Sequence, residues 1–367
     1  MKNLLHTPDG VRDIYGKDFA EKMELENKIR DIVKSYGYED IQPPTFEFFD
    51  VFSKECGTVP SKDLYKFFDN EGNTLVLRPD YTPSVARCAA KYFYDEKDPV
   101  RLCYKGNTYT NLSKLQGKLR EVTEMGAELI GDDSVCADAE VIAMVIDALK
   151  AAGLTDFRIT IGNSGFFKGL CEEAGLDEET ELTLRSFISG KNYFATENLL
   201  AQTNVDDKYR ESILKIADMF NDMNSLQECK DMVNNERSRR AIERLEAVYK
   251  YLDHYGVCDY VSFDLGMLSK YNYYTGIVFK AYTFGIGTAL VKGGRYDGLL
   301  SQFGFNAPAI GFAIVIDDLL EALNHQKVKI SVPEDAVKIY YDPFDEEDFK
   351  KNLAMSQKLR KEGKKTA

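Results

Sequence analysis

The chain has 367 residues, 44% hydrophobic and 29% charged, enough for two or three domains with a proper core. Sixty acids against 47 bases give a net charge of −13, which argues for a protein or small-molecule partner over a phosphate backbone, although a local basic patch would suffice for tRNA. No run of 18 apolar residues, no apolar leader in MKNLLHTPDGVRD, seven cysteines without a C-x-x-C pair and three scattered histidines predict a cytoplasmic chain with reduced thiols, no membrane span, no metal and no cofactor.

Turn chemistry around Pro8-Asp9-Gly10 precedes a helix predicted over about 18–36. Its apolar stripe is Ala20, Met23, Leu25, Ile29, Ile32 and Val33, and Gly37 stops it. Next, Pro43-Pro44 breaks regular strand pairing. Asn70-Glu71-Gly72-Asn73 reads as a hairpin turn between strands at 65–68 and 75–77. Thr82 and Pro83 read as N-cap and first residue of a second helix.

The stretch 101–131 organises the chain. Strands predicted at 101–109 and 120–130 flank a polar loop at 110–117. Glu124 and Glu128 lie four residues apart, so the period of two puts both on one sheet face. Acids so placed either stay solvated or hold a cation. A helix at 134–152 ends at Gly153, a strand covers 157–161, and 163–165 makes a turn.

From 166 to about 255 the chain is charged, helical and broken by turns, which predicts a small inserted unit. The run Arg237–Arg240 is either a solvated helix face or a phosphate contact. A strand is predicted at 260–268. Tyr273-Tyr274 is then either a strand pair or part of a pocket. Gly293-Gly294 lets backbone pass close to a ligand or a neighbouring strand. An apolar strand follows at 309–316. Beyond 323 come a linker, a strand and a helix, with Asp345 as N-cap and Gly363 as C-cap. One strand and one helix cannot close a core alone, which predicts a degenerate docking domain or an incomplete one.

Several of these runs resemble class II aminoacyl-tRNA synthetases of the histidyl type. The first helix, Gly37-Tyr38 and the proline pair resemble the motif that builds that family's dimer interface. The 101–131 stretch resembles its second motif, with the return-strand G-x-E in Gly126 and Glu128. The family's segment L-R-P-E-x-T, whose acid and threonine hold the amino group of histidine, is matched by Leu77 to Thr82, with Asp80 for the glutamate. The histidine box R-G-L-D-Y-Y-x-G-x-V-F-E is matched in Tyr273, Tyr274, Gly276, Val278 and Phe279. GGRYDGL, at 293–299, matches the run whose glycines line the amino-acid pocket.

The resemblance implies an α+β fold with a class II synthetase-like core, a mainly antiparallel sheet flanked by helices. It implies a discontinuous core at 1–165 and 256–322, a helical insertion at 166–255, and a linker with a partial anticodon-binding-like segment at 323–367. It implies histidine contacts at Asp80, Thr82, Glu124 (where the family has glutamine), Glu128, Tyr273, Tyr274, Gly293 and Gly294.

The nucleotide side departs from the family. Its three ATP-gripping arginines fall at Thr110, Ser269 and Asp318, its loop acid at Leu112, and its box aspartate at Asn272. Adenylation drives a carboxylate onto a charged triphosphate, and losing one fixed cation costs about 3 kcal/mol of barrier, by analogy with one oxyanion donor. A pocket without its grip resembles the regulatory subunits of short-form ATP phosphoribosyltransferase, the first enzyme of histidine biosynthesis. That resemblance implies no catalysis of its own, a short-form catalytic subunit as partner, L-histidine as feedback effector, and a homodimer within a hetero-oligomer. The alternatives are a working histidyl-tRNA synthetase and a tRNA-sensing module, the latter opposed by the acidic charge and short tail. A fossil pocket, with regulation placed at the subunit interface, is a third.

Overall fold

Alternation along 121–130 gives the chain a strand with two different faces, and the rest of the fold is laid on them. The computed structural model describes residues 5–53, 59–112, 118–218, 223–268, 274–332 and 336–366. The strands are β1 (Glu39–Asp40), β2 (Phe46–Phe48), β3 (Lys66–Phe68), β4 (Thr74–Leu77), β5 (Val100–Tyr109), β6 (Glu121–Ile130), β7 (Phe157–Asn163), β8 (Val261–Phe263), β9 (Ile277–Thr283), β10 (Val291–Arg295) and β11 (Ala309–Val315). The helices are α1 (Gly16–Ser35), α2 (Thr82–Tyr92), α3 (Val135–Ala152), α4 (Ser164–Glu173), α5 (Glu178–Ser189), α6 (Tyr193–Ala201), α7 (Asp207–Asp218), α8 (Met223–Asp231), α9 (Glu236–His254), α10 (Ile316–His325) and α11 (Glu346–Lys361).

Eight strands form one sheet in the order β1-β5-β6-β11-β10-β9-β7-β8. The pairings are antiparallel except at the two edges, β1–β5 and β7–β8. Strands β2, β4 and β3 form a small antiparallel sheet. The expected α+β core with a mainly antiparallel sheet is therefore what the chain builds.

Leu129 and Ala127 of β6 point to one face of the large sheet. Helix α3 lies on that side, with Val141, Ile142, Val145, Ile146 and Leu149 fully buried. Each contributes on the order of 2 kcal/mol relative to an exposed side chain. Ser134 caps α3 by accepting from Ala137 N–H at 3.2 Å, and left-handed Gly153 closes it. The other face carries Glu124, Gly126, Glu128 and Ile130. Helix α2 covers its end, packing Ala86 and Ala89 with Ile130, Tyr296 and Ala309.

The chain divides into two compact units. The larger holds Met1–Asp13 and Leu25–Lys329, including the helices of 166–255. The smaller holds Ile14–Glu24 and Ile330–Ala367. In it α11 starts at Asp345, whose carboxylate accepts from Glu347 N–H at 3.0 Å and Asp348 N–H at 3.2 Å.

Four local expectations are corrected. Thr82 is not the N-cap: it lies inside α2, and Tyr81 holds the cap position. The strand expected at 260–268 ends at Phe263, because Asp264 turns the chain by accepting from Gly266 N–H at 2.8 Å. The turn at 163–165 is absorbed by α4, capped by Asn163. The tail strand is only an isolated bridge, Val337 to Thr366, among the described residues; a strand persists only where a sheet edge completes its hydrogen bonds.

Candidate functional site

Glu128 is 1% exposed, an unusual depth for a carboxyl group. It is answered by hydroxyls rather than by cations. Thr82 Oγ1 donates to its Oε1 at 2.8 Å, and Tyr296 Oη donates to its Oε2. Asp80 orders the approach of the first donor: its Oδ1 accepts the Thr82 N–H at 2.9 Å and so fixes the first turn of α2. The correction at Thr82 thus has a chemical meaning. Its hydroxyl leaves the helix terminus and turns to the acid.

Behind this layer, Tyr81 stacks on Tyr104 with ring centroids 4.3 Å apart and planes 7° off parallel. The Arg78 guanidinium lies 4.1 Å from the Tyr81 ring centre and donates to the carbonyls of Asn107, Pro43 and Pro44 at 2.9, 2.9 and 3.0 Å. The proline pair, lacking N–H groups of its own, supplies acceptors that aim this arginine.

Burial pushes the Glu128 carboxyl up to about 8, against the lowering pull of the Tyr296 and Thr82 hydroxyls. Burial also raises Glu124 to about 8, with the Asp80 charge adding to it and Lys292 opposing. The Tyr274 phenol is raised by burial and by the charges of Asp80 and Glu128. Both shifts favour the protonated forms of the two glutamates, and a bound cation would favour the ionised ones. A carboxyl whose folded value exceeds its unfolded one gives stability that is full below about 4.5 and lost as pH rises through about 8. We expect the unfolding free energy to fall between pH 5 and 8, by up to about 1.4 kcal/mol per pH unit for each such group. Urea titrations across that range should show Glu128→Gln removing roughly half of the glutamate-dependent slope; identical slopes in the two proteins would refute the assignment.

The structure gathers Asp80, Thr82, Glu124, Glu128 and Tyr274 around one sheet face. Gly293 and Gly294 lie in β10, and they differ. Gly294 faces the pocket, where an added Cβ would sit 2.7 Å from the Tyr274 ring. Gly293 faces the other way, toward Phe279. Tyr273, with Ser269 and Asn272, lies outside the described residues.

Of the other two departures from the arginine pattern, Thr110 follows β5 and pairs its N–H with Arg120 O at 2.9 Å. Asp318 lies in the first turn of α10, where it accepts from Thr288 Oγ1 at 3.0 Å. Leu112 presents its carbonyl to Arg120 Nη2 at 2.7 Å. In the run Arg237–Arg240, Arg237 pairs with Glu172 and Arg240 with Glu236, each at 2.7 Å. Sequence reasoning missed Tyr296 and Tyr104 as parts of the site. Tyr296 sits inside GGRYDGL, whose dense pattern was the available signal; Tyr104 carried none beyond strand alternation.

The profile of the family Histidyl-tRNA synthetase matches residues 10–319. An ATP phosphoribosyltransferase regulatory subunit of Acetivibrio thermocellus is 40% identical over 98% of this chain and 85% of its own length. Another, from Ruminiclostridium cellulolyticum, is 43% identical over 87% of this chain and 76% of its own. The chain belongs to the ATP phosphoribosyltransferase regulatory subunit family, on a histidyl-tRNA synthetase fold. A crystal structure described as an ATP phosphoribosyltransferase regulatory subunit/histidyl-tRNA synthetase from Bacillus halodurans superposes with a TM-score of 0.89, at 32% identity, over 99% of this chain and 92% of that one. Histidyl-tRNA synthetase from Nostoc sp. shares the fold, with a TM-score of 0.83 at 20% identity over 99% of this chain and 85% of that one. Among the described residues no helix is long and apolar enough to cross a membrane.

Proposed function

We propose that this chain is a non-catalytic regulatory subunit that assembles with the short catalytic subunit of ATP phosphoribosyltransferase and makes its activity responsive to L-histidine in the cytoplasm. The observation that carries this reading is identity to named regulatory subunits over nearly the whole chain. Thr110 and Asp318 at two of the synthetase arginine positions support the absence of adenylation, since neither side chain offsets phosphate charge. The acid-lined pocket supports histidine as effector. An ammonium or imidazolium group entering it would meet Glu124, Glu128 and Asp80, with Thr82, Tyr274 and Gly294 as further contacts.

Feedback requires that histidine bind one arrangement of the hetero-complex better than another, with a coupling of about 1–3 kcal/mol. We place a homodimer within that complex. The small sheet supports it, since Phe46, Phe48 and Phe67 stand exposed on one face, with the Phe46 and Phe67 rings 5.7 Å apart. In this reading 166–255 is an insertion in the core. The ion pairs of Arg237 and Arg240 speak against a tRNA role for it.

The test is reconstitution. Mixed with a short-form catalytic subunit, the chain should switch on phosphoribosyl-ATP formation, and L-histidine should reduce it. Glu128→Ala should still activate yet need at least tenfold more histidine for the same inhibition. Sedimentation of the same mixture reads the dimer and the hetero-complex. A mixture that neither gains activity nor co-migrates on gel filtration sinks the proposal.

A further inference from the structure

Strand register places two lysines side by side at the end of the pocket opposite the glutamates. Lys292 of β10 and Lys280 of β9 are direct cross-strand partners. Lys292 is also opposite Ala313 of β11, and Ala313 is opposite Gly126 of β6. Directly opposed residues share a face, so both lysines stand on the Glu124 and Glu128 side. Like charges in this arrangement repel, and neither ammonium has an acid within ion-pair distance among the described residues. Asp264, Asp318 and Glu124 lie near enough to act only through their fields. Burial, then the Lys292 charge, lowers the Lys280 ammonium below its ordinary value.

The floor between the two ends is partly filled, since the Tyr104 ring lies over Gly126. The Glu128 carboxylate lies over Gly311 and the Tyr274 ring over Gly294, which fills that row. In the next row Ala313 is only partly buried, between Gly126 on one side and Lys292 on the other. Two strand spacings separate Gly126 from Lys292, about 10 Å. An amino acid laid across Ala313 would turn its cationic groups toward the acids and its carboxylate toward the lysines.

We propose that Lys280 and Lys292 form the anion-binding end of the pocket and receive the α-carboxylate of the effector amino acid. This rests on the histidine reading above. It assigns to a lysine pair in the sheet the charge complementarity that no arginine at 110 or 318 supplies.

Calorimetry on the full chain decides it, using L-histidine, histidinol (which replaces the carboxylate by an alcohol) and inorganic phosphate. The unaltered protein should prefer histidine to histidinol by at least tenfold. Lys280→Met and Lys292→Met, each confirmed folded by its melting curve, should bring the two ligands to within about twofold while leaving histidinol binding intact. Histidine binding that keeps its preference in both variants overturns this inference alone. Lysine-dependent phosphate binding without histidine–histidinol discrimination also overturns it, by making the anion a phosphate. No histidine binding to the unaltered protein overturns both the pocket reading and this one.

Discussion

Gly311→Ala should lose histidine binding and cost about 3 kcal/mol of stability. An added Cβ would fall 1.6 Å from Glu128 Oε2 and 2.6 Å from the Ala127 carbonyl oxygen. Overpacking at a buried strand position alone costs about 1–3 kcal/mol. Here it also expels Glu128 from the Thr82 and Tyr296 hydroxyls and leaves those buried groups unmatched. A double-mutant cycle separates the two contributions. Gly311→Ala with Glu128→Ala should be less destabilised than the sum of the single variants, by about 1 kcal/mol or more, because the shortened side chain no longer occupies the space. Additive urea midpoints would show that the glutamate does not lie over that glycine.

The second large effect lies on the opposite face of the sheet. Asp138 of α3 is fully buried and holds two arginines: Arg295 Nη2 and Nε at 2.6 and 3.0 Å, and Arg244 Nε at 2.6 Å. Arg295 is itself 3% exposed and donates further to the Asp132 carbonyl at 3.0 Å and to Asp297 at 3.2 Å. Asp138→Ala strands a buried guanidinium and should lower stability by about 3–5 kcal/mol. Replacing the pair together, as Asp138→Leu with Arg295→Met, should be milder, since the buried guanidinium leaves with its acid, while the part-exposed Arg244 keeps the Asp133 and Ser134 carbonyls. Denaturant midpoints of both variants test this. A single variant no worse than the double would mean that the arginine finds water instead.

These two sites also explain why GGRYDGL is so dense a run. Gly294 makes room for Tyr274 on the pocket face, and Arg295 crosses to Asp138 on the α3 face. Tyr296, just past the strand end, returns to Glu128. Three consecutive residues thus serve two faces of one sheet, which leaves little freedom at any of them.

Much of this was fixed by local chemistry and is readable from the residues in order. Alternation along 121–130 set Glu124 and Glu128 on one face, because the strand period is two whatever lies around it. Ser134 and Gly153 bounded α3, and Asp345 began α11, because helix ends need acceptors and a left-handed exit wherever they occur. What tertiary structure decided is where the groups meet. Whether Thr82 caps a helix or reaches an acid depended on Glu128, 46 residues away. The partners of Arg295, Tyr296 and Lys292 lie on other strands and on α3, and register chose them. The tail was misread for the same reason: a strand is completed by its neighbour, and no local pattern supplies one.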